Sequence, residues 1–165
     1  MADDKKAVAI MHQFKTLVDQ RSNWESHWQQ LADYISPRKA DITKKRTAGD
    51  KRTELVFDGT AIHAAEMLSA SLHGMLTNPS SAWFSLRFKN RELDGDDEAK
   101  EWLEGVTDVM YSSINRSNFA EAVHEMYSDL VVFGTGVMGI EEDDQNDLRF
   151  STRHIGECYL AEDAE

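Results

Sequence analysis

The stretch VVFGTGVMGI, residues 131–140, carries Gly134, Gly136 and Gly139 at G-x-G-x-x-G spacing. Its reading decides the fold class. In a dinucleotide-binding turn a strand leads into the glycines and a helix leaves them, with its N-terminus facing the pyrophosphate. Here the order is reversed. RSNFAEAVHEMYSDLVVFG (116–134) reads as a helix, with Phe119, Val123, Met126 or Tyr127, Leu130 and Val131 lining one side. Asn118 and Glu121 stand at capping-box spacing at its start. VMGIEE, after the glycines, reads as a strand. A phosphate would meet the C-terminal end of a helix dipole, which repels anions. Gly134 is therefore expected to end the helix in a left-handed conformation, and Gly136 to ease the turn into the strand. No cofactor is expected.

Outward from this point, GVMGIEEDDQNDLRFSTRHIGECYLAED reads as a β-hairpin around the polar turn DDQND. Upstream, NRELDGDDEA is a turn into a helix whose shared face is Trp102, Val106, Val109 or Met110, and Ile114. WFSLRF (83–88) alternates, with Phe84, Leu86 and Phe88 on one face, and predicts a strand. FDGTAIHAAEMLSASLHGMLTNP (57–79) predicts a helix capped by Asp58 or Thr60, with Ile62, Ala65, Leu68, Leu72 and Leu76 as its stripe. Ala61, Ala64, Ser69, Ala70, Ser71 and Gly74 would let another backbone approach closely, so this helix is expected to be internal and tightly packed. The expected class is α+β: helix-rich, with a short antiparallel hairpin.

At the N-terminal side, Ile10, Phe14, Leu17, Arg21, Trp24, Trp28, Leu31 and Ile35 recur at alternating spacings of four and three. They form one stripe on a helix about 39 Å long at about 1.5 Å per residue. Arg21 is the one break, and its stem is expected to lie along the stripe with the head in water. Ser36-Pro37 should stop the helix, because the residue before proline is driven out of the helical region. Phe14, Trp24 and Trp28 are candidate subunit-packing residues.

The 165-residue chain has a formal net charge of −12, unevenly spread. Residues 1–57 carry 11 basic and 8 acidic side chains, a net of +3, and the remainder carries 7 and 22, a net of −15. The basic excess concentrates in PRKADITKKRTAGDKRTELV (37–56), expected to be an exposed mobile loop. Arg38, Lys39, Lys44, Lys45, Arg46, Lys51 and Arg52 are candidate contacts for a polyanion or an acidic partner. An acidic body does not coat nucleic acid, so any such contact should be local to this loop. The chain divides into a long amphipathic helix (1–36), the basic loop (37–57) and an α+β region (58–165), expected to continue past residue 165.

Chemistry-bearing motifs are sparse. Counted from Asp143, DDQND places Leu148 where a calcium loop needs glycine and His154 where it needs glutamate. His154 and Cys158 do not converge on a strand and turn, and no second ligand pair accompanies them. His63 with Glu66, and His124 with Ser128, are ordinary helix-surface pairs. No metal, cofactor or catalytic constellation is expected, so the chain reads as no enzyme. Its start lacks a continuous apolar stretch and its longest apolar run is LVVF (130–133), which suggests a soluble intracellular product. The single cysteine excludes an internal disulfide.

Three segments in series carry a resemblance: RSNWESHWQQLADYISPRK, then FDGTAIHAAEMLSASLHGMLTNPSSAWFSL, then WLEGVTDVMYSSINRSNFAEAVHEMYSDLVVFGTGVMGIEED. Together they resemble the head-to-tail connector (portal) proteins of short-tailed bacteriophages, from about Arg21 to Asp163. The most specific parts are Trp24 and Trp28 before ISPR, LTNPSSAWF, and SNF followed by LVVFGTG. The resemblance implies the outer wing of a dodecameric ring in the virion, at one capsid vertex, assembled in the host cytoplasm. It further implies capsid, tail and terminase partners, double-stranded DNA passing through the channel, and no membrane. The rival reading is a stand-alone helical adaptor or nucleic-acid-binding module using residues 38–52.

Overall fold

The computed structural model describes residues 2–89 and 95–161, with side chains from residue 5 onward. Four helices precede one hairpin: α1 (Ala2–Ile35), α2 (Thr60–Leu76), α3 (Asp97–Arg116), α4 (Phe119–Phe133), then β1 (Val137–Asp143) and β2 (Asp147–Arg153). Short 3₁₀ turns follow α1 (Pro37–Lys39) and β2 (Ile155–Glu157). The class is α+β, as the sequence predicts.

α4 is the hub, packed against α1, α2 and both strands. It ends as expected: Gly134 adopts φ 75° and donates its N–H to the Leu130 carbonyl at 2.9 Å. Gly136 has a tighter reason than turn flexibility. A Cβ there would lie 2.7 Å from Met126 Cγ and 2.8 Å from the Met126 carbonyl oxygen, so β1 can only start against α4 as glycine. The antiparallel register runs from Val137 opposite Arg153 to Asp143 opposite Asp147. Thr152 Oγ1 donates to the Ala122 carbonyl at 2.7 Å, tying β2 to α4.

Several helix faces differ from the expected ones. On α4 the buried positions are Ala122, Val123, Tyr127, Asp129 and Phe133, while Leu130 is exposed. On α3, Trp102, Val109 and Met110 face solvent, and Leu103, Val106, Thr107 and Ile114 are half-buried. α2 is not internal: Ser69 is its one buried residue, and Met67, Leu68, Met75 and Leu76 are exposed. A periodic stripe gives a helix its apolar side, but the neighbour that arrives decides which edge of that side is covered.

WFSLRF, expected as a strand, pairs with no other strand among the described residues. Phe84, Leu86 and Phe88 do alternate inward, yet the partner of this segment is a side chain. Phe84 N–H donates to the Tyr111 hydroxyl at 2.6 Å, and that hydroxyl donates to the Phe84 carbonyl at 2.9 Å. Stacking of Phe84 on Tyr111 (4.3 Å between centroids) and Trp83 on Phe119 (5.6 Å) completes the seam. The capping box at Asn118 is likewise replaced. Its amide donates to the Phe150 carbonyl and accepts the Phe150 N–H, both at 2.8 Å. The side chain thus acts as one more peptide unit on β2, and leaves the α4 N-terminus to the Ser117 hydroxyl.

The main core joins the three sequence regions: Trp28 and Ala32 from α1, Ala40 from the basic loop, Phe133 from α4 and Ile155 from the final turn.

Candidate functional site

Three polar clasps and one apolar cavity surround that core, and all of them involve α1 or the basic loop. Gln29 and Asp33, one helical turn apart beside Trp28 and Ala32, are both buried, each 4% exposed. The Gln29 amide donates to the Ala40 carbonyl (2.5 Å) and to Asp33 Oδ1 (3.0 Å). Its oxygen accepts the N–H groups of Ile42 (3.1 Å) and Thr43 (2.9 Å). One side chain thereby holds the start of the loop in place. Asp33 receives Lys44 Nζ at 2.5 Å and Arg46 at 2.9 Å. Burial pushes its carboxyl up, but the hydrogen bonds from Lys44, Arg46 and Gln29 outweigh this and hold it below the usual value of 3.8.

The second clasp fixes the 3₁₀ turn after α1. Lys39 Nζ lies 2.7 Å from Asp129 Oδ1 and 3.1 Å from Glu125. Asp129 is 2% exposed, and its Oδ2 has no hydrogen-bond partner. His154 belongs to the same neighbourhood. Its ring packs edge-on against Phe133 (5.0 Å), its Nδ1 accepts the Gly156 N–H at 3.2 Å, and its buried Nε2 has no partner. Burial lowers its pKa below 6.5; Asp129, Glu157 and Glu125 pull upward and Lys39 downward. The unfolded chain therefore takes up this proton at a higher pH than the fold does. The associated stability is complete above pH 6.5 and declines as pH falls toward the depressed folded value. Thermal midpoints should fall more between about pH 7 and pH 5 in the natural chain than in His154→Asn, which keeps an acceptor for Gly156. Equal falls in the two proteins would contradict this.

Arg21 forms the third clasp, and here the expectation of a solvated head is overturned. The guanidinium donates to Glu25 (2.7 and 2.9 Å), to the carbonyls of Cys158 (2.6 Å), Gly156 (3.1 Å) and Ile155 (3.3 Å), and to the Tyr159 hydroxyl (3.3 Å). It also sits 3.8 Å from the centroid of the Tyr159 ring. The break in the apolar stripe is thus the point where the segment after β2 is fastened to α1.

The seven loop cations now separate. Lys39, Lys44 and Arg46 are committed to the clasps. Arg52 pairs with Asp41 at 2.6 Å and donates to the Arg38 carbonyl at 2.9 Å. Arg38, Lys45 and Lys51 make no ion pair among the described residues. Of the candidate packing residues, Trp28 is buried in the chain's own core at 8% exposure. Trp24 (59%) and Phe14 (43%) are exposed, Trp24 stacking on Trp28 at 6.2 Å. From residue 5 to 16 every α1 side chain is exposed, Val8, Ile10 and Met11 among them.

Beside Arg21 lies an apolar cavity of about 490 Å³, lined by Leu17, Trp24, Trp28, Phe133, Ile155, Cys158 and Leu160 among others. Sequence reasoning missed Gln29, Asp33 and Asp129. The available signal was the two polar residues at i and i+4 flanking Trp28 and Ala32, followed at once by a run of cations. Among the described residues, no three His, Cys, Asp or Glu side chains cluster to hold a metal ion, and no helix is long and apolar enough to cross a membrane.

Residues 7–165 match the family described as bacteriophage head to tail connecting protein. The portal protein of Salmonella phage epsilon15 is 34% identical over 162 residues, covering 98% of this chain and 29% of the relative. The probable portal protein of Bordetella phage BPP-1 is 33% identical over 136 residues, 82% of this chain and 24% of the relative. The chain thus spans less than a third of the length of these curated relatives. With the match running from the exposed half of α1 through every clasp to the last described turn, the chain belongs to the bacteriophage head-to-tail connecting protein family.

Proposed function

We propose that the chain is a structural, non-catalytic subunit of a portal ring, corresponding to an outer wing, through which DNA enters and leaves a capsid. The similarity to portal proteins over 98% of the chain carries this reading. The exposed apolar faces of α1, α2 and α3 support it, because faces with Ile10, Met11, Leu68, Met75 and Trp102 in water are characteristic of protein–protein contact. A dodecamer, capsid, tail and terminase partners, and assembly in the host cytoplasm complete the proposal. The decisive measurement is the native mass of the protein with negative-stain images. Rings of about a dozen copies are the expected result, and a monomer at every concentration would remove self-assembly from this region.

Within this reading, the part of the basic loop available to a polyanion or acidic partner is Arg38, Lys45 and Lys51. Replacing these three by Glu should abolish any salt-dependent DNA binding while leaving the melting temperature within a few degrees. Reversing Lys44 or Arg46 instead would break the Asp33 clasp, and so would confuse binding with folding. Unchanged binding in the triple variant would end the loop's role as a contact.

A further inference from the structure

The hairpin has one edge closed and one edge open. Asn118 engages both the N–H and the carbonyl of Phe150, so these two groups point away from β1. Ile140 stands opposite Phe150. As its partner in a non-hydrogen-bonded pair, Ile140 turns its own N–H and carbonyl outward, off the sheet. By the two-residue period, Met138 and Glu142 do the same. No strand pairs with this edge among the described residues, and no backbone group there bonds one. The Ile140 side chain is 62% exposed although it shares a face with the buried Phe150. The apolar face of the sheet therefore runs on to its open edge.

A second unpaired segment lies on the far side of the hairpin. Leading away from β1 come β2, then Asn118 with Ser113 and Arg116 of α3, which reach Asp147, then Tyr111, then residues 83–88. Burial in this segment has a period of two: Phe84, Leu86 and Phe88 are half-buried, and Ser85, Arg87 and Lys89 are exposed. The Tyr111 hydroxyl engages both backbone groups of Phe84. The same period then leaves those of Ser85 and Arg87 on the opposite edge, where none bonds a described backbone group.

The two edges match face by face. Arg87 and Lys89 share the exposed face of the segment, and Glu141 and Asp143 share the face of β1 turned away from Phe150. None of these four makes an ion pair among the described residues. This holds although Arg149 stands opposite Glu141, and Glu104 and Asp108 line the groove beside Arg87. On the other faces, Leu86 and Phe88 meet their counterparts in Met138 and Ile140. Charges on an edge strand discourage pairing with a like edge and admit one of opposite charge. An acidic edge at one side and a basic edge at the other make a head-to-tail contact, the kind that closes into rings.

We infer that the β1 edge of one copy takes residues 83–89 of the next copy as a third strand. The contact rests on the portal-ring reading for its setting. Its test exchanges the charges. Arg87→Glu with Lys89→Glu makes both edges acidic, and Glu141→Lys with Asp143→Lys makes both basic. Each double variant should self-associate at least about tenfold more weakly than the natural chain, with its melting temperature within a few degrees. Mixed in equal amounts, the two should assemble again, into rings that hold equal numbers of each by native mass. Recovery on mixing is a result that damage to either fold cannot produce. If the lysine pair unfolds the hairpin, the glutamate pair and amide exchange decide alone. Exchange should slow at residues 138–142 and 85–87 when the natural chain associates. Assembly that survives in the glutamate variant, fails to return on mixing two folded variants, or leaves exchange unslowed would overturn this contact and leave the ring reading intact. A natural chain that stays monomeric at every concentration would overturn the contact together with self-assembly through this region.

Discussion

Asp33→Asn will destabilise the fold by about 3 kcal/mol, a loss of roughly 10 °C in melting temperature for a chain of this size. The substituted amide keeps the shape of the carboxylate but not its charge. It offers one acceptor oxygen to a site where Lys44, Arg46 and Gln29 all donate, and turns N–H groups toward two cations. Breaking a buried pair costs more than the pair contributes, because Arg46 keeps a largely buried charge with only Asp41 and the Ala40 carbonyl beside it, each at 3.5 Å. The loss should be local first: amide exchange at Ile42, Thr43 and Lys44 should accelerate before the rest of the fold opens. A pH signature accompanies it. The folded carboxyl sits below 3.8, so its stabilisation is present above that value and disappears as pH falls through the depressed folded value. Asp33→Asn should remove this part of the acid transition. Lys45→Glu is the control, expected to change stability by under about 0.5 kcal/mol. If Asp33→Asn behaved like the control, the clasp would have no energetic role.

Arg21→Ala should cost about as much, near 3 kcal/mol, by a different route. Three carbonyls between Ile155 and Cys158, the Tyr159 hydroxyl and the Glu25 carboxylate lose their common donor at once. The segment after β2 should come away from α1, which is measurable as protease cleavage or rapid exchange around residues 155–160 with α4 still protected. Arg21→Lys should recover less than half of the loss, since an ammonium is a compact charge without the planar fork that reaches several acceptors together. Full rescue by lysine would mean that charge near Glu25 matters and the carbonyl contacts do not.

Local chemistry made much of this chain legible. The α1 helix, the Ser36-Pro37 stop, the left-handed Gly134 and the polar turn of the hairpin depend on residues a few positions apart, and the structure contains each of them; of the α1 stripe, Ile10, Phe14 and Trp24 are left exposed. The reversal of helix and strand around the three glycines sufficed to exclude a dinucleotide turn and to settle the α+β class. Phe84, Leu86 and Phe88 were also read correctly as alternating. What periodicity could not show is that a tyrosine hydroxyl on α3 takes the place of a neighbouring strand.

Long-range pairing is where the sequence stopped and tertiary structure decided. Arg21 meets Cys158 across 137 positions, and Lys39 meets Asp129 across 90. The apolar stripe around Arg21 marks it as unusual, but nothing within a helical turn of Arg21 or Asp129 names the distant partner it meets. The seven loop cations read alike in sequence; four are consumed by acids brought in from α1, α4 and the loop itself, and three are left outward. The same holds for α2, whose small residues suit close packing but which has one buried side chain in the isolated chain. A sequence fixes local backbone preference and the side of a helix that avoids water. Which buried charge finds which partner depends on the folded arrangement of distant segments, because a charge is tolerated in the interior only where the fold delivers its counter-charge.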